Sequence, residues 1–247
     1  MTLLCRRTTR KTGRALAAYL GIRARTTPTD EPLIRWGNST PPHNTEDLNT
    51  GPSISNATDK YRALEILSDA GIRTPPHSRT ITDLDTTRPI LGRNTHHHGG
   101  LGIRLYMQPR DHGAGIRESD FYTQYIPRRR EFRVHTALGE VLGVKEKRWD
   151  TGSDPHLIQI AWSHRNGWVH LTPRHQPAPL ESIARKAAEA LSLHFAAVDI
   201  ILGEDPRHLY VLELNTAPGL WPQMLKAYGD TIAAHAGLET HPETVGE

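Results

Sequence analysis

VLELNTAPGL, residues 211–220, sets a carboxylate at Glu213 and an amide at Asn215 on a strand that breaks off in a Pro-Gly turn. Side chains alternate along a strand, so Glu213 and Asn215 point to one face, beside whatever lies over the end of the sheet. Val211, Leu212 and Leu214 suit a buried strand, and Asn-Thr-Ala-Pro-Gly is ordinary turn composition. Oxygen ligands at i and i+2 fit a hard cation such as magnesium, which is commonly shared with substrate phosphates. Upstream, FAAVDII and YVLELN flank the loop LGEDPRH, and Asp199 and Glu213 each stand seven residues from Pro206. A symmetrical antiparallel pair sets these acids side by side, where without a cation they repel or share a proton. Both strands are nearly continuous apolar runs, which argues against two acids on a solvated hairpin face. Asp199, Glu213 and Asn215 are therefore the candidate metal ligands.

Working toward the N-terminus, PLESIARKAAEALSL reads as an amphipathic helix. DFYTQYIPRRREFRVHTALGEVLGVKEKRW reads as a strand, a basic turn at Arg128, Arg129 and Arg130, and a hairpin centred on Gly139. That register places Arg133 opposite Lys145, with Lys147 one pleat further along. Facing like charges destabilise a sheet unless solvated or bridged by an anion, so a polyphosphate or carboxylate is expected between them. The arginine run has no interleaved aromatics and reads as a solvated turn, not a nucleic-acid contact.

RPILGR is a strand feeding the loop NTHHHGGLGI. Its glycines allow backbone amides to approach an anion, and Arg93 at the strand end can pair with a phosphate oxygen. His96, His97 and His98 have no further ligand at zinc-like spacing. Lys60 lies in the first turn of the helix TDKYRALEILSDAG, capped by Asn56 or Thr58 and ended by Gly71. A cation there opposes the helix dipole, which suits either a solvated lysine or one held for a phosphate. Residues 40–55, TPPHNTEDLNTGPSIS, show no apolar period and read as a linker or surface loop. Before them, TLLCRR, RKTGRALAAYLG and PLIRWGNS form strand, helix and strand, one small α/β lobe.

A chain of 247 residues that is 36% hydrophobic can bury a sizeable core. With 30 basic against 27 acidic residues the net charge is +3, and nothing in that balance calls for nucleic acid. Cys5 is the single cysteine, and no apolar run approaches the ~20 residues of a membrane span. A reducing compartment, the cytoplasm, is expected. The first 29 residues hold seven basic and no acidic side chains, a transit-peptide composition read here as the strand and helix of the lobe.

Together these residues resemble the ATP-grasp carboxylate-amine ligases, in the alpha-L-glutamate ligase and D-alanine ligase branches, and most nearly small members from phage and bacterial gene clusters. In that family an Asp on one strand and Glu-x-Asn on the next bind two magnesium ions, with Asn-Thr-x-Pro-Gly following; AAVDII and LELNTAPG match this. The resemblance implies an α/β (α+β) ATP-grasp fold in which two lobes grip ATP between antiparallel sheets, behind a shortened N-terminal lobe. It divides the chain into 1–57, N-terminal lobe and linker; 58–127, small lobe with the glycine-rich phosphate loop; and 128–247, C-terminal lobe with the magnesium site. Lys60, Arg93 and Lys145 are then expected to serve the nucleotide, Arg93 standing where most members carry a second lysine. Gly99, Gly100 and Gly102 are expected to close over the phosphates, and Gln124, Tyr125 and Ile126 to read adenine. Arg133 and Lys147 face the transferred phosphoryl group and the acyl substrate, with His97 a candidate for the amine proton. Arg165, Pro218 and Gly219 are candidates for holding the substrate carboxylate. The implied activity is an ATP-dependent ligase forming an amide or peptide bond through an acyl phosphate, with ATP and two magnesium ions, on an amino acid or peptide carboxylate and an amine. A homodimer stays open, as do two other readings: a small-molecule kinase on the same fold, and a non-catalytic nucleotide- or nucleic-acid-binding module.

Overall fold

The computed structural model describes residues 1–95, 103–107, 119–150 and 167–242. β1 (Thr2–Cys5) and β3 (Leu33–Trp36) run parallel with Leu3 beside Ile34, and the short β2 (Ala24–Arg25) lies on the other side of β1. Every residue of β1 and β3 is buried, as a parallel sheet covered on both faces requires. The crossover helix α1 (Arg10–Tyr19) packs so tightly that a Cβ on Gly13 would stand 2.8 Å from that of Cys5.

Residues 40–55, expected as a linker or surface loop, divide: 40–46 stay largely exposed, whereas Asp47, Leu48, Asn49, Gly51, Ser53 and Ile54 are buried. Asp47 and Arg35 are fully buried and joined at 2.5 Å. Asn49 bonds both backbone groups of Phe195, at 2.8 and 3.1 Å. α2 (Gly51–Thr58) then starts behind Thr50, whose hydroxyl accepts the Ser53 amide. The segment is anchored by polar side chains that bond backbone, Asp47 to the Leu33 amide and Asn49 to Phe195, so no apolar period marks it. The next helix is separate: α3 (Lys60–Asp69) is capped by Asp59, which accepts the Arg62 amide, and not by Asn56 or Thr58.

The second sheet joins β4 (His77–Ser78), β5 (Ile90–Arg93), β6 (Arg104–Tyr106) and β7 (Phe121–Gln124) in the antiparallel order β4-β7-β5-β6. The third joins β8 (Arg128–Ala137), β9 (Glu140–Trp149), β10 (Trp168–Leu171), β11 (Phe195–Gly203) and β12 (Leu209–Asn215) in the order β10-β9-β8-β11-β12. α4 (Leu180–Ala190) buries Leu180, Ala184 and Ala187 against it, together with Leu67 of α3. α5 (Pro222–Ala236) was not anticipated; its Tyr228 and Ile232 share a second core with Leu16, Trp36 and Phe195, tying the first lobe to the third sheet.

Two bulges set the registers that matter. The β8–β9 turn is Leu138-Gly139, with φ of 51° and 83°, a two-residue hairpin turn. Thr136 pairs with Val141 but His135 with Gly143, so Leu142 is extra and Arg133 arrives opposite Lys145. In the same way Ile200 pairs with Val211 and Asp199 with Glu213, leaving Leu212 extra. Arg128, Arg129 and Arg130 belong to β8, not to a solvated turn: Arg130 grips Glu146 at 2.7 and 2.9 Å, and Arg128 meets Glu131 at 2.9 Å. Among the described residues no helix is long and apolar enough to cross a membrane.

Candidate functional site

Asp199 lies between two cross-strand partners, Arg133 on β8 and Glu213 on β12. Arg133 forks onto its carboxylate, Nε to Oδ1 and Nη2 to Oδ2, both at 2.7 Å. Lys147 stands 3.6 Å from Asp199 Oδ2 and donates to Glu131. Lys60, the first residue of α3, donates to Glu213 Oε2, and Asn215 Nδ2 approaches Glu213 Oε1 at 3.5 Å. Burial pushes both acids up, but the cations win. Arg133 and Lys147 hold Asp199 far below the usual carboxylate range. Lys60 and Arg93 bring Glu213 down to about 2.

Arg93, at the end of β5, is 8% exposed and packs its guanidinium 5.6 Å from the Phe121 ring centre. Burial lowers its pKa, opposed by the field of Glu213, and its buried Nε has no hydrogen-bond partner. A desolvated cation with an unused donor beside this cluster fits an incoming anion such as a phosphate.

The donors Asp199, Glu213 and Asn215 are two carboxylates and an amide, an all-oxygen set. It fits magnesium, which completes its shell with phosphate oxygens and water, and does not fit zinc. Among the described residues no three His, Cys, Asp or Glu side chains converge as a metal cage.

Other expected residues fall elsewhere. Lys145 bonds Thr172 at 2.9 Å and stands 4.9 Å from the Trp221 ring centre, so of the two facing basic residues only Arg133 holds an anion, and that anion is Asp199. Gln124 spends its side chain on the Asp85 and Pro89 carbonyls, and the amides of Gln124 and Tyr125 are bound to Pro76 and Pro89; Ile126 follows them. Pro218 is buried and Gly219 exposed in the turn after β12. Next to that turn Gly37, φ +70°, abuts Ala217, leaving no room for a side chain. His96, His97, His98, Gly99, Gly100, Gly102 and Arg165 lie outside the described residues.

Two residues of the site were not foreseen. Glu131 is 3% exposed and holds Lys147 and Arg128 in place. His135 is fully buried, with Nδ1 3.2 Å from the Tyr228 hydroxyl and its ring edge-on to Trp221. Burial, helped by Arg133, lowers His135 to about 3 and keeps it neutral. The signal was in EFRVH, where alternation puts Glu131, Arg133 and His135 on one face. A cavity of about 510 Å³ runs beside the cluster, with Lys60 and Asn215 at one part of its wall and Arg6, Thr9 and Ser39 of the first lobe at another.

No protein-family model matches the chain. Its sequence is similar to a probable alpha-L-glutamate ligase of Citrobacter koseri, 28% identical over 192 residues, 70% of this chain and 60% of that protein. The chain thus spans less than two thirds of the curated relatives it matches. Its structure is similar to a D-alanine–D-alanine ligase from Bacillus anthracis, with TM-score 0.62, 15% identity, and 94% of this chain and 91% of that one covered. It is similar also to the ATP-grasp ligase PsnB complexed with a minimal precursor, with TM-score 0.59, 17% identity, and 77% and 64% covered. The chain has the ATP-grasp fold.

Proposed function

We propose that this protein is an ATP-dependent carboxylate-amine ligase that forms an amide or peptide bond on an amino acid or peptide substrate. The observation that carries the proposal is the pairing of Asp199 with Glu213 across β11 and β12, with Asn215 beyond and Lys60, Arg93, Arg133 and Lys147 gathered around. The glutamate ligase likeness in sequence and the D-alanine ligase likeness in fold support it.

In this reading a substrate carboxylate oxygen attacks the γ-phosphorus of ATP while the bond to the bridging oxygen breaks, giving an acyl phosphate and ADP. An amine nitrogen then attacks the acyl carbon, and phosphate leaves with the carbon–oxygen bonding electrons. The amine proton passes to a base, for which His97 is the candidate. Two magnesium ions, held by Asp199, Glu213 and Asn215, would neutralise charge on the β- and γ-phosphates. Lys60, Arg93 and the loop glycines Gly99, Gly100 and Gly102 bind phosphate, and Tyr125 and Ile126 border the adenine. Arg133 and Lys147 would stabilise charge as the phosphoryl group moves. The cavity beside Asn215 would receive the substrate carboxylate, with Arg165, Pro218 and Gly219 the candidates for holding it. The divisions at 57/58 and 127/128 are proposed as the lobe limits.

A hydroxylamine trap tests this: wild type and Glu213→Ala, magnesium ATP, and pools of amino acids and short peptides as acyl donors. Hydroxamate with wild type alone is the expected result. ADP without hydroxamate would replace the ligase by a small-molecule kinase. Neither product, from a folded protein that binds nucleotide, would favour a binding module.

A further inference from the structure

A separate cavity of about 280 Å³ opens on the first lobe, lined by Arg10 and Arg14 of α1, by Arg25 of β2 with Thr26 and Thr27, and by the buried Cys5. Nothing in the ligase reading uses it. Among the described residues none of the three arginines has a carboxylate partner. Arg10 and Arg14 stand one turn apart on α1 and repel each other. Both lie close enough to Cys5 to oppose the burial that raises its thiol. The imbalance is regional: seven of the 30 basic residues and none of the 27 acidic ones fall within the first 29 positions, leaving 23 against 27 in the rest. β2 is also the outer strand of its sheet, and among the described residues nothing pairs with its outer edge.

We propose that this groove docks an acidic stretch of polypeptide, extended along the β2 edge with its carboxylates on Arg10, Arg14 and Arg25. Single-stranded nucleic acid fits less well, because base stacking needs exposed aromatics and the lobe's Tyr19 and Trp36 are 1% and 0% exposed. Thr9 lines the cavity beside Lys60 and Asn215, and the next residue, Arg10, lines this groove. A docked peptide would therefore present a neighbouring residue to the catalytic cluster around the start of α1. That delivery rests on the ligase reading; the docking does not.

The test is fluorescence anisotropy on the full chain, without ATP or magnesium, using fluorescein-labelled hexaglutamate, hexaglutamine and a single-stranded oligonucleotide. Hexaglutamate is expected to bind, and to bind more weakly as salt rises. Arg10→Gln/Arg14→Gln/Arg25→Gln should weaken it by about tenfold or more, against about twofold or less for Arg129→Gln/Arg185→Gln/Lys186→Gln, which removes the same charge from other surfaces. Should the first variant unfold, Arg14→Gln set against Arg185→Gln carries the same comparison at matched charge. Equal losses in the two variants would reduce the effect to net charge, and tighter binding of the oligonucleotide would reassign the groove; either overturns the proposal. A wrong ligase reading would show in the hydroxamate trap and leave these anisotropies unchanged.

Discussion

Arg133 and Asp199 face each other across β8 and β11 and share two hydrogen bonds of 2.7 Å. The proposed phosphoryl-binding residue thus holds a proposed metal ligand, so the pairing competes with both proposed roles. Removing the arginine strips Asp199 of its forked partner but leaves Lys147 at 3.6 Å. Arg133→Met should therefore cost about 2–3 kcal/mol in urea unfolding, less than the ~3–5 kcal/mol of a buried charge left with no partner. ADP formation should fall by about 100-fold or more. Arg133→Lys should recover part of the stability and little of the rate, since an ammonium has no fork. A lysine variant with wild-type turnover would remove Arg133 from the chemistry.

Arg93 carries the opposite signature. It is a buried cation whose Nε lacks a partner, so the ligand-free fold bears a desolvation cost. Arg93→Met should raise the unfolding free energy by about 1 kcal/mol without nucleotide, as apolar replacements of poorly paired buried charges often do. The same variant should gain less than wild type when magnesium ATP is added, because ligand stabilisation scales with affinity. Melting curves with and without nucleotide read both effects, and an unchanged nucleotide shift would take Arg93 out of the proposed phosphate site.

Acid should unfold the protein in two stages. His135 is neutral when folded, with its pKa lowered from 6.5 to about 3 by burial and then by Arg133. The stability it contributes is whole above pH 6.5 and is lost as pH falls toward 3, at up to about 1.4 kcal/mol per unit. His194, lowered by burial and His235, adds to this slope. Glu213 is lowered from 4.5 to about 2, so its contribution is whole above 4.5 and is lost between there and 2. Urea unfolding between pH 7 and 5 should therefore steepen in wild type and flatten, though not vanish, in His135→Gln. A Lys60→Met variant should instead change the profile below pH 4.5.

The register of the candidate site was legible, but by a route the structure amends. Counting outward from Pro206 puts Asp199 opposite Glu213, and counting from Gly139 puts Arg133 opposite Lys145. Both hairpins depart from simple symmetry, and the extra residues Leu212 and Leu142 restore those pairings. The apolar runs that revealed the strands around Asp199 and Glu213 could not show a bulge, which adds one more leucine to such a run. The side chains' partners were less legible than their positions: like charges at 133 and 145 suggested an anion between them, whereas Asp199 from the neighbouring strand claims Arg133. The ATP-grasp core could be read because its motifs lie in apolar strands. The first lobe's attachment could not, since it depends on α5 and on polar residues whose partners are far away in the chain.

The buried pair Arg35–Asp47 is the sharpest test of that attachment. Asp47 accepts Arg35 Nε at 2.5 Å, the Leu33 amide at 2.9 Å and the Asn44 amide at 3.1 Å, so one carboxylate fastens the strand β3 to the segment after it. Two residues later Asn49 clasps Phe195 at the start of the strand that carries Asp199. Asp47→Ala leaves the fully buried Arg35 with only carbonyl acceptors, among them Asn38 and Thr40. It should cost about 3–5 kcal/mol in urea unfolding, the usual loss when one member of a buried pair is removed. If the clasp transmits the damage, hydrogen exchange at the Phe195 amide should speed up along with that at Leu33. A loss below about 1 kcal/mol would mean that residues 40–55 behave as the linker their composition suggests.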